Sequence, residues 1–206
     1  MINRCVLPLG AYEANCSILW SDPDHAWIVD PGDDMDSIED CLNVHHLTPG
    51  IIVLTHGHFD HISAVNDVLK RYPGLPIYLH AADVPLAFSP FNAMPPYSVT
   101  QRPATLDTSK CDGDTLSYGG LTAQIIHTPG HTPGSCCLYF EKEHLLVAGD
   151  MLFLGSIGRT DFPGGNIHAM QQSIERLKQL PDPVDVITGH GPLTTLGNEK
   201  RSNPYF

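Results

Sequence analysis

Ile51-Ile52-Val53-Leu54-Thr55-His56-Gly57-His58-Phe59-Asp60-His61 joins an apolar run to three histidines and a carboxylate packed into six positions. Imidazole nitrogens and carboxylate oxygens are donors that suit Zn²⁺, Fe²⁺ or Mn²⁺, so this spacing points to a metal site. Four branched apolar residues followed by threonine read as a buried strand, and Ile62, Val65, Val68 and Leu69 then repeat with helical spacing. The donors therefore occupy a strand-to-helix loop. In open α/β sheets, ligands gather at such loops, beyond the carboxyl ends of the strands. The competing explanation is a histidine-rich surface loop, in a chain that holds twelve histidines.

Recurrence weakens that explanation. Residues 121–127, 145–149 and 184–188 read as further strands, and each ends in a donor. The first runs into Thr128-Pro129-Gly130-His131-Thr132-Pro133-Gly134, the second into Asp150, and the third into Gly189-His190-Gly191-Pro192. Glycines accompany the donors and permit tight turns and close backbone approach.

Around this framework the chain alternates strands and helices. Residues 2–7, 16–20 and 26–30 read as an antiparallel meander, with a polar turn at Ser21-Asp22-Pro23-Asp24. Asp30-Pro31-Gly32 stops the third strand, and Met35, Ile38 and Leu42 give a helical face capped by Asp34 or Asp36. Pro76 to His80 reads as another strand and Cys136 to Phe140 as another. Ile167 to Leu180 is the one clear helix of the second half, capped by Asn166, with Met170, Ile174 and Leu177 facing inward. Between Ala81 and Asp114 prolines interleave with Phe88, Phe91, Met94 and Tyr97, which fits either a substrate lid or a loop packed over the sheet. Two strand-rich halves with outer helices fit two facing sheets flanked by helices, in one domain spanning residues 1–206.

A length of 206 residues is enough to bury a core unaided, and 42% hydrophobic with 17% charged residues is ordinary for a globular protein. The formal charge of −12 argues against nucleic-acid or anionic-membrane partners. Two divalent ions would leave it at about −8. The opening residues lack the apolar core of a signal peptide, and no apolar run reaches 18 residues, so the expected location is the cytoplasm. Six cysteines without C-x-x-C spacing read as reduced and mostly buried, with Cys136 and Cys137 facing opposite ways. His80 and His127 end strands, either reaching the site behind the donors or packing at its rim. His25, His45, His46, His144 and His168 read as solvent-facing.

The ordered motifs T-H-x-H-x-D-H at Thr55–His61, T-P-G-H-T-P-G at 128–134, G-D at 149–150 and G-H at 189–190 resemble those of the metallo-β-lactamase superfamily. The resemblance implies an α/β fold, an αββα four-layer sandwich, with a dinuclear site at the sheet edge. It makes His56, His58 and His131 ligands of one metal, Asp60, His61 and His190 ligands of the other, and Asp150 the bridge. Seven donors, one shared, give each ion four protein contacts and leave room for a bridging hydroxide and a substrate atom, a catalytic rather than a structural count. Two divalent ions are expected, zinc first, with iron or manganese as alternatives. Asp60 is also expected to orient the hydroxide.

Within the superfamily, Gly149-Asp150-Met151-Leu152-Phe153, Gly158-Arg159-Thr160-Asp161-Phe162 and the terminal Glu199 and Asn203-Pro204-Tyr205-Phe206 resemble small bacterial relatives of hydroxyacylglutathione hydrolase, glyoxalase II, that lack its C-terminal helical domain. The implied reaction is hydrolysis of a small thioester, a glutathione conjugate such as S-lactoylglutathione, to a hydroxy acid and the free thiol. Pro192 stands where larger members carry tyrosine, and Arg159 and Asp161 where they carry lysine and tyrosine. Arg159 could clamp a substrate carboxylate or pair with Asp161. Persulfide dioxygenases of the same fold, with one iron on residues matching His56, His131 and Asp150, are the rival reading; a lactonase or other ester hydrolase is a further one.

Overall fold

The computed structural model describes residues 2–22 and 24–206. Its first sheet begins with the antiparallel meander β1 (Asn3–Leu9), β2 (Ala14–Trp20) and β3 (His25–Val29). Parallel strands β4 (Thr48–Val53), β5 (Ile77–Tyr78) and β6 (Leu106–Asp107) then extend it in order. The second sheet holds β7 (Thr115–Tyr118), β8 (Leu121–His127), β9 (Cys136–Phe140) and β10 (Leu145–Gly149), and beyond a hairpin of β11 (Leu152–Phe153) and β12 (Ser156–Ile157) it gains β13 (Asp185–Thr188) and β14 (Thr194–Thr195). Its spatial order is β14-β13-β10-β9-β8-β7, with β10 and β13 parallel. Pro23 of the expected Ser21–Asp24 turn and Met1 lie outside the described residues.

The period-2 alternation of strand side chains decides the layering. In β4, Ile51 and Val53 face the second sheet while Ile52 and the following Leu54 face outward; in β9, Cys136, Leu138 and Phe140 face inward while Cys137 and Tyr139 face outward. Strands apolar on both faces need cover on both. The inner layer closes on Trp27 and Phe140, fully buried with ring centroids 5.5 Å apart. The outer face of the first sheet is covered by α1 (Met35–Val44) and α3 (Val65–Arg71), and that of the second by α5 (Ile167–Leu177) and α6 (Leu196–Ser202). Helices, sheet, sheet and helices make the four-layer α/β sandwich that the motifs implied.

The expected caps are in place. Asp34 accepts from the Ser37 amide at the start of α1, and Asn166 from the His168 and Ala169 amides at the start of α5, a contact contributing about 1 kcal/mol. Four expectations need correction. The run from Ile62 to Leu69 is not one helix: α2 (Phe59–Ile62) ends where the Ala64 amide leaves the helical ladder to donate to the Pro31 carbonyl at 3.0 Å. The strand expected from Pro76 to His80 spans only Ile77–Tyr78, because His80 turns to accept from the Ala82 amide. α6, capped by Thr195, is a second helix of the C-terminal half. β7 lies just beyond the weakly patterned segment, which itself holds α4 (Val84–Ala87) and β6. All six cysteines are free, with Cys111 exposed. No helix is long and apolar enough to cross a membrane among the described residues.

Candidate metal centre

The carboxyl ends of β3, β4, β8, β10 and β13 meet at one edge of the sandwich. Backbone bonds stitch the two sheets together there: the Cys136 amide donates to the Thr55 carbonyl at 2.9 Å, and the Asn15 amide to the Gly189 carbonyl at 2.7 Å. Loops leaving those strands consequently converge. His56, His58, Asp60 and His61 leave β4, His131 leaves β8, Asp150 leaves β10 and His190 leaves β13.

All seven donors named by the sequence come together in two groups. His56, His58 and His131 bring ring nitrogens within 4.8 Å of one another, and Asp60, His61 and His190 do the same with a carboxylate oxygen and two nitrogens. Asp150 stands between them. Its Oδ2 is 3.4 Å from His131 Nε2, while its Oδ1 is 3.3 Å from His61 Nε2 and 3.6 Å from His190 Nε2. Asp30, His56 and His61 form a third close set. Both Asp30 oxygens, however, already accept hydrogen bonds, from the Thr55 amide and hydroxyl at 2.8 and 2.6 Å, and Oδ2 also faces His61 Nδ1 at 3.0 Å.

Divalent cations suit this arrangement. His58 Nδ1 lies 2.8 Å from His131 Nε2, and His61 Nε2 lies 3.2 Å from His190 Nε2, so basic nitrogens point at one another in pairs. His56 Nε2 and Asp150 Oδ1 are buried without any hydrogen-bond partner among the described residues, which is costly unless something electrophilic sits between them. The opposite ring nitrogens are anchored. His131 Nδ1 faces the Arg159 carbonyl and His190 Nδ1 the Tyr12 carbonyl, each at 2.8 Å; His61 Nδ1 faces Asp30. Such anchors fix ring orientation and leave the other nitrogen to a metal. The role of Asp30 was not legible from the sequence, where Asp30-Pro31-Gly32 read only as a strand stop.

Electrostatics divides the donors. Burial, reinforced by the neighbouring His61, holds His56 well below the usual imidazole range, and burial with His131 lowers His58 to about 4. Both are neutral near pH 7. Burial opposes charge on His61 and His190, but Asp150 and Asp30 outweigh it for His61, and Asp60 and Asp150 for His190, raising both. Burial also opposes ionisation of Asp150 and Asp60, yet His61 outweighs it for the first and His190 with His61 for the second, so both are lowered.

In the metal-free chain the raised histidines stabilise their ion pairs fully below the unexceptional value of 6.5, and that stabilisation disappears as pH rises through the raised values. A cation has to displace those protons, so metal affinity is expected to climb with pH until the raised values are passed, with protons released on uptake below them. Titration of the metal-free chain in weak buffer checks this. Uptake at pH 6.5 without proton release would contradict it.

The donors open into a cavity of about 600 Å³ walled by Tyr12, Phe59, Met94, Phe153, Ile157 and Phe162. Arg159 is at its rim, where its guanidinium holds Asp161 through two bonds of 2.7 Å and lies 3.7 Å from the centroid of the Phe162 ring. The structural pair expected for this arginine is present. His80 and His127 do not reach the donors; they stack on each other with centroids 4.1 Å apart. His45, His46, His144 and His168 are exposed, whereas His25 is half-buried. The proline-rich segment brings Met94 to the cavity, where its sulfur accepts from the Tyr12 hydroxyl at 2.7 Å. It also contributes Asp83, fully buried, which accepts from the Gly57 amide at 2.8 Å, the Thr132 hydroxyl at 2.7 Å and the Gly134 amide at 2.5 Å. Sequence patterning carried no signal for Asp83.

Known proteins share this organisation. A relative from Haemophilus influenzae named hydroxyacylglutathione hydrolase GloC is 36% identical over 214 residues, covering 100% of this chain and 98% of its own length. The crystal structure of the BLEG-1 B3 metallo-beta-lactamase superposes with a TM-score of 0.89 at 38% identity, covering 100% of this chain and 99% of that one. A structure of TTHA1623 in a di-iron-bound form gives 0.83 at 33% identity, covering 99% and 100%. The family model of the metallo-beta-lactamase superfamily matches residues 9–190, from the end of β1 to the last histidine of the donor set. Motif order, four-layer fold and convergent donors thus lead to one conclusion: the chain belongs to the metallo-β-lactamase superfamily.

Proposed function

We propose that the chain is a dinuclear metal-dependent hydrolase of small thioesters, with hydroxyacylglutathione conjugates such as S-lactoylglutathione as its substrate class. The observation that carries this reading is the convergence of seven donors, two with unsatisfied buried atoms, at the mouth of a largely apolar cavity. The GloC name of a full-length relative supports the thioester. A one-iron dioxygenase on His56, His131 and Asp150 is the alternative reading; the close grouping of Asp60, His61 and His190 favours two ions but is compatible with one.

His56, His58 and His131 would hold one ion, Asp60, His61 and His190 the other, with Asp150 facing both. When bound, divalent ions supply Lewis-acid polarisation of a carbonyl and an acidified water nucleophile. The residues do the rest. Asp60, ionised and lining the cavity, accepts a proton-bearing contact from the attacking water and so aims it. The apolar walls exclude bulk water and hold the acyl chain. A thiolate departs readily, so no general acid is required beside the sulfur. Arg159 would bind a substrate carboxylate by exchanging it for Asp161.

A panel of S-lactoylglutathione, a simple alkyl thioester, a lactone and glutathione persulfide tests the assignment. Turnover of the thioesters is expected to exceed that of the lactone. Oxygen uptake on the persulfide without thioester turnover would replace this reading with the dioxygenase.

A further inference from the structure

We propose that Asp83 is a positioning residue that clamps the two loops supplying His56, His58 and His131, and thereby sets the affinity of that half of the centre. The inference rests on the metal reading above. Gly57, whose amide donates to Asp83 Oδ2, lies between His56 and His58; Thr132, whose hydroxyl donates to the same oxygen, directly follows His131. Asp83 Oδ1 accepts from the Gly134 amide. A single carboxylate therefore ties the loop after β4 to the loop after β8. All three bonds run into its two carboxylate oxygens.

The surroundings are built for this contact. A side chain at Gly134 would put its Cβ 2.7 Å from the Asp83 carboxylate, so only glycine lets the loop close on it. The Gly57 peptide is held from its other side too, its carbonyl accepting from Asn92 Nδ2 at 2.7 Å. Asp83 and Asn92 both belong to the proline-rich segment, which acts as a strut beneath the three-histidine loops. Asp83 and Asn92 bond only the first group's side, while His61 is anchored by Asp30 and His190 by the Tyr12 carbonyl; the segment nears that second group through Thr100, which donates to the Ile62 carbonyl, and Met94, which accepts from the Tyr12 hydroxyl.

That separation makes the proposal selective. Groups that orient ligands typically contribute about 10–100-fold in metal affinity. Cobalt(II) titration of the metal-free chain, followed by ligand-field absorption, should resolve two binding phases. Asp83→Asn is expected to weaken the phase belonging to the three histidines by about 10–100-fold and to leave the other within about twofold. Excess cobalt should restore the second equivalent. Thr132→Val, which removes one donor and preserves shape, is expected to weaken the same phase less, and it carries the test if Asp83→Asn does not fold. Equal weakening of both phases would reduce Asp83 to a general fold element and overturn the proposal, as would two unaltered phases. A wild-type chain that takes up no cobalt would instead remove the metal reading itself.

Discussion

Asp150→Ala is expected to lower kcat/KM for thioester hydrolysis by roughly a thousandfold or more and to weaken retention of both ions. Its carboxylate faces both groups: one oxygen lies 3.4 Å from His131 and the other 3.3 Å from His61. Loss of this side chain removes the anion that holds protons or cations among five histidines, so the effect should exceed that of any single imidazole. Elemental analysis of the variant after dialysis, with steady-state kinetics on the same sample, reads both consequences. His168→Ala, on the exposed start of α5, serves as the control and should match the parent. An Asp150→Ala chain that kept two ions and full turnover would break the proposed bridge.

Gly189→Ala is expected to cost about a hundredfold in kcat/KM although it removes no ligand. An added Cβ would overlap Asp150 Oδ1 and come within 2.8 Å of the Gly149 carbonyl carbon. The backbone has little freedom to yield. The Gly189 amide donates to the Gly149 carbonyl at 2.8 Å, and its carbonyl accepts from the Asn15 amide at 2.7 Å, so β13 is held from two sides. The carboxylate must move instead. A displacement near 1 Å is sufficient for a loss of that size, because nucleophile and substrate carbonyl must meet in register. Metal affinity measured by chelator competition should fall with activity; unchanged affinity and rate would show that the close approach is incidental.

What could be read in the sequence follows from the range of the interactions involved. β4 and its donors were legible because strand periodicity, turn glycines and ligand chemistry coincide within eleven residues. The caps Asp34 and Asn166 were legible for the same local reason. Asp83 was not, since its partners lie 26, 49 and 51 residues away and nothing adjacent marks it. Asp30 had an adequate local explanation as a strand stop, and only the fold shows it holding Thr55 and His61. The break between α2 and α3 arises likewise from a tertiary bond, Ala64 to Pro31, that overrides an intact helical period.

Arg159 illustrates the same limit from the opposite side. Its spacing to Asp161 offered two roles; the surface pair is present, and as an exposed pair it contributes little to stability. A role in substrate binding depends on exchanging one carboxylate for another at the cavity rim.

The central claim is that seven side chains from one sandwich edge hold two catalytic cations. Its most direct test is metal content and S-lactoylglutathione hydrolysis measured on the same samples, before chelation, after chelation and after readdition of zinc, iron or manganese. The account predicts two divalent ions per chain, hydrolysis that vanishes with them and hydrolysis that returns when they do. Turnover that survives complete metal removal, or a saturated chain that holds one ion, would contradict it.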